Sequence, residues 1–400
     1  MPRPSVRRVS VLLHRWVGLV LGLLLAVLGL SGSALVFRQE IDRALDPELQ
    51  RVEVRETRQP LAAVVAAARA AHPEGTPWRV RMPRRADGPV EVWMGAKPDL
   101  FVYVDPYTAR VLGARRPTEF LTGWLFELHA HLLAGKTGEL VGGIGALALV
   151  ALSLSGMVAW WPGRGKLKPA LTVARGRGGR RLAFDTHRAG GFYASALLFV
   201  AGVTGASLVF HEPFQVALNR VFRSPAVPPA PTAASSPTRP ALPLDSALAL
   251  AERVAPGGYV SYVYVPVKAT DPVTVRKRRP GELHPNGKTF VYADPRDNAL
   301  LGMVDGPTSP MGARAYSALY PLHIGVAGGL PLRLAMALAG LAPAALFVTG
   351  VVMWRGRGRG RRRDDARRPA RAVRERGAPA RRSAAAPART RAPARASGGR

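Results

Sequence analysis

Four stretches of this chain carry no Asp, Glu, Lys or Arg over at least 21 residues: Trp16–Phe37, Leu140–Gly163, Ala189–His211 and Leu334–Trp354. About 20 apolar residues are needed to cross a hydrocarbon core. Backbone amides inside that core must pair within their own segment, so such runs become helices. Core helices of soluble proteins rarely stay uncharged this long. The first run follows basic residues, as a signal peptide's core does. It is too long for that core and ends without a small-residue cleavage site, so it reads as a retained helix.

Arginine and lysine in the short segments set the expected orientation. Arg3, Arg7 and Arg8 precede the first run, and Arg164, Lys166, Lys168, Arg175, Arg177, Arg180 and Arg181 lie between the second and third. Arg355, Arg357 and Arg359 follow the fourth. These place both termini in the cytoplasm of a bacterial cell, with four spans in its inner membrane and two long loops facing outward. The formal net charge is +31, and residues 355–400 hold 17 arginines against three acids. That Ala/Pro/Gly/Arg-rich tail is expected to be disordered and to lie near anionic lipid headgroups, not to bind nucleic acid. There is no cysteine, which removes disulfides, iron–sulfur clusters, thiolate-ligated haem and covalent c-type haem attachment.

The apolar runs repeat in pairs. Aligning His14 with His187 brings Arg15 onto Arg188, Gly18 onto Gly191, Gly32 onto Gly205 and Phe37 onto Phe210. His129 lies 27 residues before Gly156, and His323 lies 27 before Gly350. Four histidines that recur in register suggest a repeated ligand site, and in a membrane that points to metal or haem chemistry. His131 faces Gly325 in the alignment and is an extra candidate only. His211 reads as interfacial, and His72 and His284 read as surface residues.

The outward loops repeat as well. Leu61–Ala71 and Leu244–Val254 each read as a helix that glycine breaks. Strand-like runs follow at Trp78–Met82, Val90–Met94 and Phe101–Val104, and again at Val260–Val265, Val273–Arg276 and Phe290–Ala293. The phrases FVYVDPYTARVLG and FVYADPRDNALLG close the two sets. The expected order is therefore N-terminus and first span (1–37), an α+β module (38–117), a histidine segment with the second span (118–163) and a cytoplasmic loop (164–186). The third span (187–211), a linker with the second module (212–312), a histidine segment with the fourth span (313–354) and the tail (355–400) follow. In fold class this is an all-α four-helix membrane core of two parallel-repeat halves, carrying two extracytoplasmic α+β modules.

LHRWVGLVLGLLLAVLGLSGSALVFRQEID, ELHAHLLAGKTG, DTHRAGGF and PLHIGVAGG resemble the histidine motifs of the PepSY-associated transmembrane proteins. The two modules resemble PepSY domains, with the Val-Asp-Pro-Tyr-Thr ending at Val104–Thr108. The resemblance covers about residues 1–355. It implies iron-regulated membrane proteins, among them ferric-siderophore reductases with two b-type haems in the helices.

Topology then pairs the histidines. A pseudo-two-fold axis along the membrane normal relates the halves. His14 and His187 pair at the cytoplasmic side, and His129 and His323 pair at the outer side. Each pair is expected to supply the two axial ligands of one haem b iron. Ligation from both faces suits electron transfer, with no separate catalytic side chain. No dinucleotide or flavin fingerprint is present, so electrons must come from a separate donor. Trp78, Trp93, Tyr103, Tyr107, Tyr262, Tyr264, Tyr316 and Tyr320 look exposed, beside basic clusters that suit an anionic ferric chelate. Two other functions fit the same sequence: a non-enzymatic scaffold that regulates a periplasmic peptidase, and a haem subunit of another periplasmic oxidoreductase.

Overall fold

A computed structural model describes residues 5–96, 99–233 and 244–376, with side chains through Gly356 apart from Arg164. Four helices are long and apolar enough to cross a membrane: α1 (Val6–Leu35), α6 (Gly135–Trp160), α8 (Gly179–Val209) and the first part of α12 (Gly329–Arg376). They close into a ring. A methyl added at Gly18 of α1 would touch Leu152 of α6, and Gly202 of α8 packs on Val150 of α6. Gly191 of α8 faces Leu346 of α12, and Gly29 of α1 lies against the Gly340 carbonyl of α12. Ser33 Oγ donates to the Ala337 carbonyl at 2.6 Å across that last contact. Small residues at these crossings let helix backbones approach, which is how membrane helices gain packing without a hydrophobic drive.

The expected tail begins as helix. α12 runs from Gly329 to Arg376. Residues 377–400, which the expectation also covered, lie outside the described residues.

Two short helices, α2 (Arg38–Leu45) and α3 (Pro47–Gln50), leave α1. Next come α4 (Leu61–Ala71), β1 (Thr76–Arg81), β2 (Val90–Gly95), β3 (Leu100–Val104) and β4 (Val111–Arg115). α5 (Leu121–His131) leads into α6. A four-residue helix, α7 (Leu167–Ala170), precedes α8, and α9 (His211–Val221) follows it. The second series is α10 (Leu244–Val254), β5 (Tyr259–Tyr264), β6 (Val273–Arg278), β7 (Thr289–Ala293) and β8 (Leu300–Val304), then α11 (Met311–His323) before α12.

The strands form one antiparallel sheet in the order β4-β3-β2-β1-β5-β6-β7-β8. The sequence led us to expect separate modules with three strands each. Each set has a fourth strand after its Asp-Pro turn, and β1 and β5 join the sets through Arg79–Tyr264, Val80–Val263 and Arg81–Tyr262. Two separate sheets would each expose an edge of unpaired amides, and this seam removes both edges. Alternation then sorts the faces. Val80, Val92, Val102, Val263, Val275 and Val291 are fully buried under α4 and α10. Asp245 of α10 accepts the Leu61 and Ala62 amides at 2.6 and 3.1 Å, capping α4 from the other half of the sheet. The opposite face carries Arg79, Arg81, Trp93, Tyr262 and Arg276. Tyr103 and Tyr107 are buried rather than exposed, at 2 and 5 % of their surface. His284 is buried too, because its ring stacks on Tyr320 at 5.1 Å.

Arg115 ties the sheet to the segment leaving α1. It pairs with Asp42 at 3.3 Å and with Asp46, and its Nε donates to the Tyr103 hydroxyl at 3.0 Å. Thr122 of α5 donates to Asp42 at 2.7 Å. Burial already pushes the Asp42 carboxyl above its ordinary value. Removing the guanidinium takes away the larger of the two cations that offset its burial and leaves only the weaker influence of Arg38. Arg115→Met should therefore destabilise this junction by ~3 kcal/mol. The check is faster limited proteolysis of the full chain near residues 42–60 in detergent, with Arg116→Met unchanged as the control.

Candidate functional site: two histidine pairs

The four register-matched histidines meet in two pairs. The rings of His14 and His187 have centroids 6.1 Å apart, and those of His129 and His323 are also 6.1 Å apart. The first pair comes from α1 and α8, which face each other across the ring of helices. The second comes from α5 and α11, each of which leads into a span. Leu132 and Leu133 adopt left-handed backbone (φ 48° and 57°) just after α5, and Gly325 does so (φ 76°) just after α11. These turns let each short helix fold back beside its span. The His131 carbonyl would stand 1.6 Å from a Cβ at Gly138, so only glycine fits where α6 begins.

Each ring is seated on a helix other than its own. His14 Nδ1 meets the Leu152 carbonyl at 3.1 Å and Ser155 Oγ at 3.3 Å, on α6. His187 Nδ1 meets the Leu346 carbonyl and Thr349 Oγ1, both at 3.0 Å, on α12. His129 Nδ1 meets the Leu28 carbonyl at 2.9 Å and Ser31 Oγ at 3.2 Å, on α1. His323 Nδ1 meets Thr204 Oγ1 at 2.9 Å and the Ala201 backbone, on α8.

The hydroxyls fix the tautomer. Ser31, Ser155, Thr204 and Thr349 donate their protons to the carbonyls of Val27, Ala151, Val200 and Ala345, four residues back, at 2.6–2.8 Å. With its proton committed, each hydroxyl offers Nδ1 only a lone pair, as the neighbouring carbonyl does. Nδ1 is therefore the protonated nitrogen, and Nε2 keeps its lone pair. A glycine follows each hydroxyl residue and gives the ring room. A Cβ at Gly32 or Gly156 would stand 2.8 or 2.9 Å from the Cε1 of His129 or His14. At Gly205 and Gly350 the corresponding distances, to His323 and His187, are 3.3 and 3.6 Å.

The glycines of this seat were visible in the repeat, but the hydroxyl residue before each was missed. The signal was there: an aliphatic residue, two more, Ser or Thr, then Gly, at Leu28–Gly32, Leu152–Gly156, Ala201–Gly205 and Leu346–Gly350. The other histidines lie apart. His131 meets Glu127 of its own helix at 2.9 Å and packs on Phe126. His72 meets Glu74 at 3.1 Å, and His211 begins α9. Among the described residues no group of three or more His, Cys, Asp or Glu is placed to hold a metal, so each site offers two protein ligands at most.

The profile of the PepSY-associated TM region family matches residues 11–357. The chain belongs to that family. With its four membrane-length helices, this PepSY-associated chain is a membrane protein. A search of curated proteins finds no match to it. Both histidine pairs and all four seats of this PepSY-associated chain fall inside the matched range.

Proposed function

We propose that this membrane protein carries electrons across the bacterial inner membrane through two b-type haems and delivers them to an outward acceptor, a ferric siderophore or another ferric chelate. The observation that carries the reading is the doubled pair of Nδ1-protonated histidines. Metal-bound histidine characteristically donates its second ring N–H to a carbonyl or carboxylate, as all four do here. Two imidazoles sharing one ion, each with its nitrogen ~2 Å from the metal, place their ring centroids roughly 6 Å apart, which matches both pairs. A ligand set of exactly two nitrogens suits a prosthetic group that brings its own equatorial donors. Arg15 and Arg188, next in sequence to the first pair, each hold a buried Nε without a hydrogen-bond partner among the described residues, although the Arg188 guanidinium already pairs with Asp185 at 3.1 Å. Propionate-like anions suit such positions.

In this reading His14 and His187 hold the inner haem and His129 and His323 the outer one. The bound group supplies reversible one-electron chemistry. The chain's own part would be to fix each ring's plane through its seat, keep Nε2 deprotonated and hold the iron between two imidazoles, which would favour electron transfer over oxygen binding. His129 reaches back to the level of Leu28–Gly32, short of the end of α1. The two levels are then separated along α1 by 14 to 18 residues, roughly 21–27 Å at 1.5 Å per residue. The parallel-repeat halves and PepSY-like modules belong to the same reading. The sheet order, which runs outward symmetrically from β1 and β5, supports them, as do bulges at Tyr103/Val104 and Tyr292/Ala293.

Purified from haem-replete cells, the full chain should show a Soret band, reduced b-type peaks and two haems per chain. A colourless preparation would sink the reading in favour of a scaffold. Reduction of a periplasmic protein but of no ferric chelate would favour the subunit alternative.

A further inference from the structure

The sheet face turned away from α4 and α10 brings Arg79 and Arg276 together, with Asp99 acting on Arg79 only from beyond ion-pair distance. Arg79 of β1 lies 3.7 Å over the Trp93 ring and 4.3 Å over Trp78. It also lies 5.4 Å from the Tyr262 ring, and Arg276 of β6 lies 5.8 Å from that same ring. Two guanidiniums thus share one tyrosine across the β1–β5 seam. Both are half-buried, and neither has a carboxylate within ion-pair distance among the described residues. Arg276 donates Nε and a terminal nitrogen to the Gly287 carbonyl at 3.0 and 2.7 Å, and it meets His284 Nδ1 at 3.3 Å. Arg79 Nε is buried with no hydrogen-bond partner. By contrast, Arg81 beside them is neutralised by Glu91 at 3.0 Å.

The neighbourhood responds to this surplus of positive charge. Burial and Arg276 push the Lys288 ammonium down to about 8. Burial, Arg276, Lys288 and Arg84 push the His284 imidazole down to about 2, so it stays neutral. Buried cations are ordinarily paired, and two held together unpaired leave room for an anion. The face also meets the helix of the second pair. The His284 ring stacks on Tyr320, which sits one turn before His323 on α11.

We propose that Arg79 and Arg276, with Tyr262 between them, form a binding site for carboxylate groups that is joined through His284 and Tyr320 to the helix carrying His323. The planar guanidinium fork suits a carboxylate, and the aromatic rings around Arg79 hold it in place. The carboxylate can come from a soluble chelate or from a prosthetic group held by His129 and His323. The site deepens the proposed outward acceptor, and its link to electron transfer rests on that reading, whereas binding itself does not.

The test is a titration of the detergent-solubilised full chain with citrate and with ferric citrate at low ionic strength. Absorbance is recorded in parallel. For a soluble carboxylate, Arg79→Gln and Arg276→Gln should each weaken binding about tenfold, while Arg276→Lys recovers part of it and the absorption spectrum stays unchanged. For a carboxylate on a prosthetic group, the same glutamine variants should shift or weaken the absorption assigned to His129/His323 before any citrate is added. If both glutamine variants bind citrate as the parent does and leave the spectrum unchanged, the site is overturned. A colourless chain that binds citrate through these arginines would instead retain the site and remove the haem reading.

Discussion

Replacing His323 by alanine should remove about half of the haem absorption of the purified protein and leave the His14/His187 half intact. The pairs are separate: each has its own two rings, and the levels differ by roughly 21–27 Å of helix axis. Within a pair the loss should be nearly complete. Among the described residues His323 and His129 are the two rings that meet here, and no group of three or more His, Cys, Asp or Glu joins them. His129→Ala should give the same loss, and the double substitution should lose no more than either single one. His14→Ala with His323→Ala should give a colourless protein. His131→Ala should keep the full spectrum, because its ring is held by Glu127 and Phe126 of its own helix. Full absorption in the His129→Ala, His323→Ala double variant would remove the second site altogether.

The second large effect is graded. Alanine at Gly32, Gly156, Gly205 or Gly350 should damage its site in that order. The added Cβ would stand 2.8, 2.9, 3.3 and 3.6 Å from the seated ring carbon. At 3.6 Å the contact is ordinary, so Gly350→Ala should retain the His14/His187 absorption. At 2.8 Å the His129 ring must shift, and with it goes its bond to the Leu28 carbonyl. Gly32→Ala should therefore lose most of the second-site absorption, and Gly32→Val should lose all of it. If the glycines served helix packing alone, the order would follow contacts between helices. Gly29, which lies on the Gly340 carbonyl, would then be as damaging to absorption as Gly32. Equal loss at Gly32 and Gly350 would count against the seat as described.

Much of this was legible because the repeat carries two independent patterns. Uncharged length reported the spans, and histidine register reported the pairs. The pairing of His14 with His187 needed only the direction of each helix, which arginine placement supplied. The seats were harder to read, because Ser and Thr are common in membrane helices and their role depends on which neighbour comes alongside. Leu28–Gly32 faces a histidine about a hundred residues away, and no local period encodes that. The seam between β1 and β5 was likewise hidden. Arg79 and Arg81 alternate with buried Val80 as in any half-buried strand, and nothing in β1 alone says that its free edge will meet Tyr262 and Tyr264. β4 and β8 were missed because Val111–Arg115 and Leu300–Val304 are short and contain glycine, which weakens a strand signal.

The exchange of seats between helices sets an order on biogenesis. His14 finds its seat on α6 and His129 finds its seat on α1, so the first half of the chain orients two rings as soon as those helices insert. Each of those rings is then alone. Its partner is oriented only when α8 and α12 have arrived, since His323 rests on α8 and His187 on α12. A nascent or truncated chain that ends before His323 therefore presents His14 and His129 without a seated partner ring. The second pair is complete once His323 has been made, and the first only once Leu346 and Thr349 of α12 have arrived.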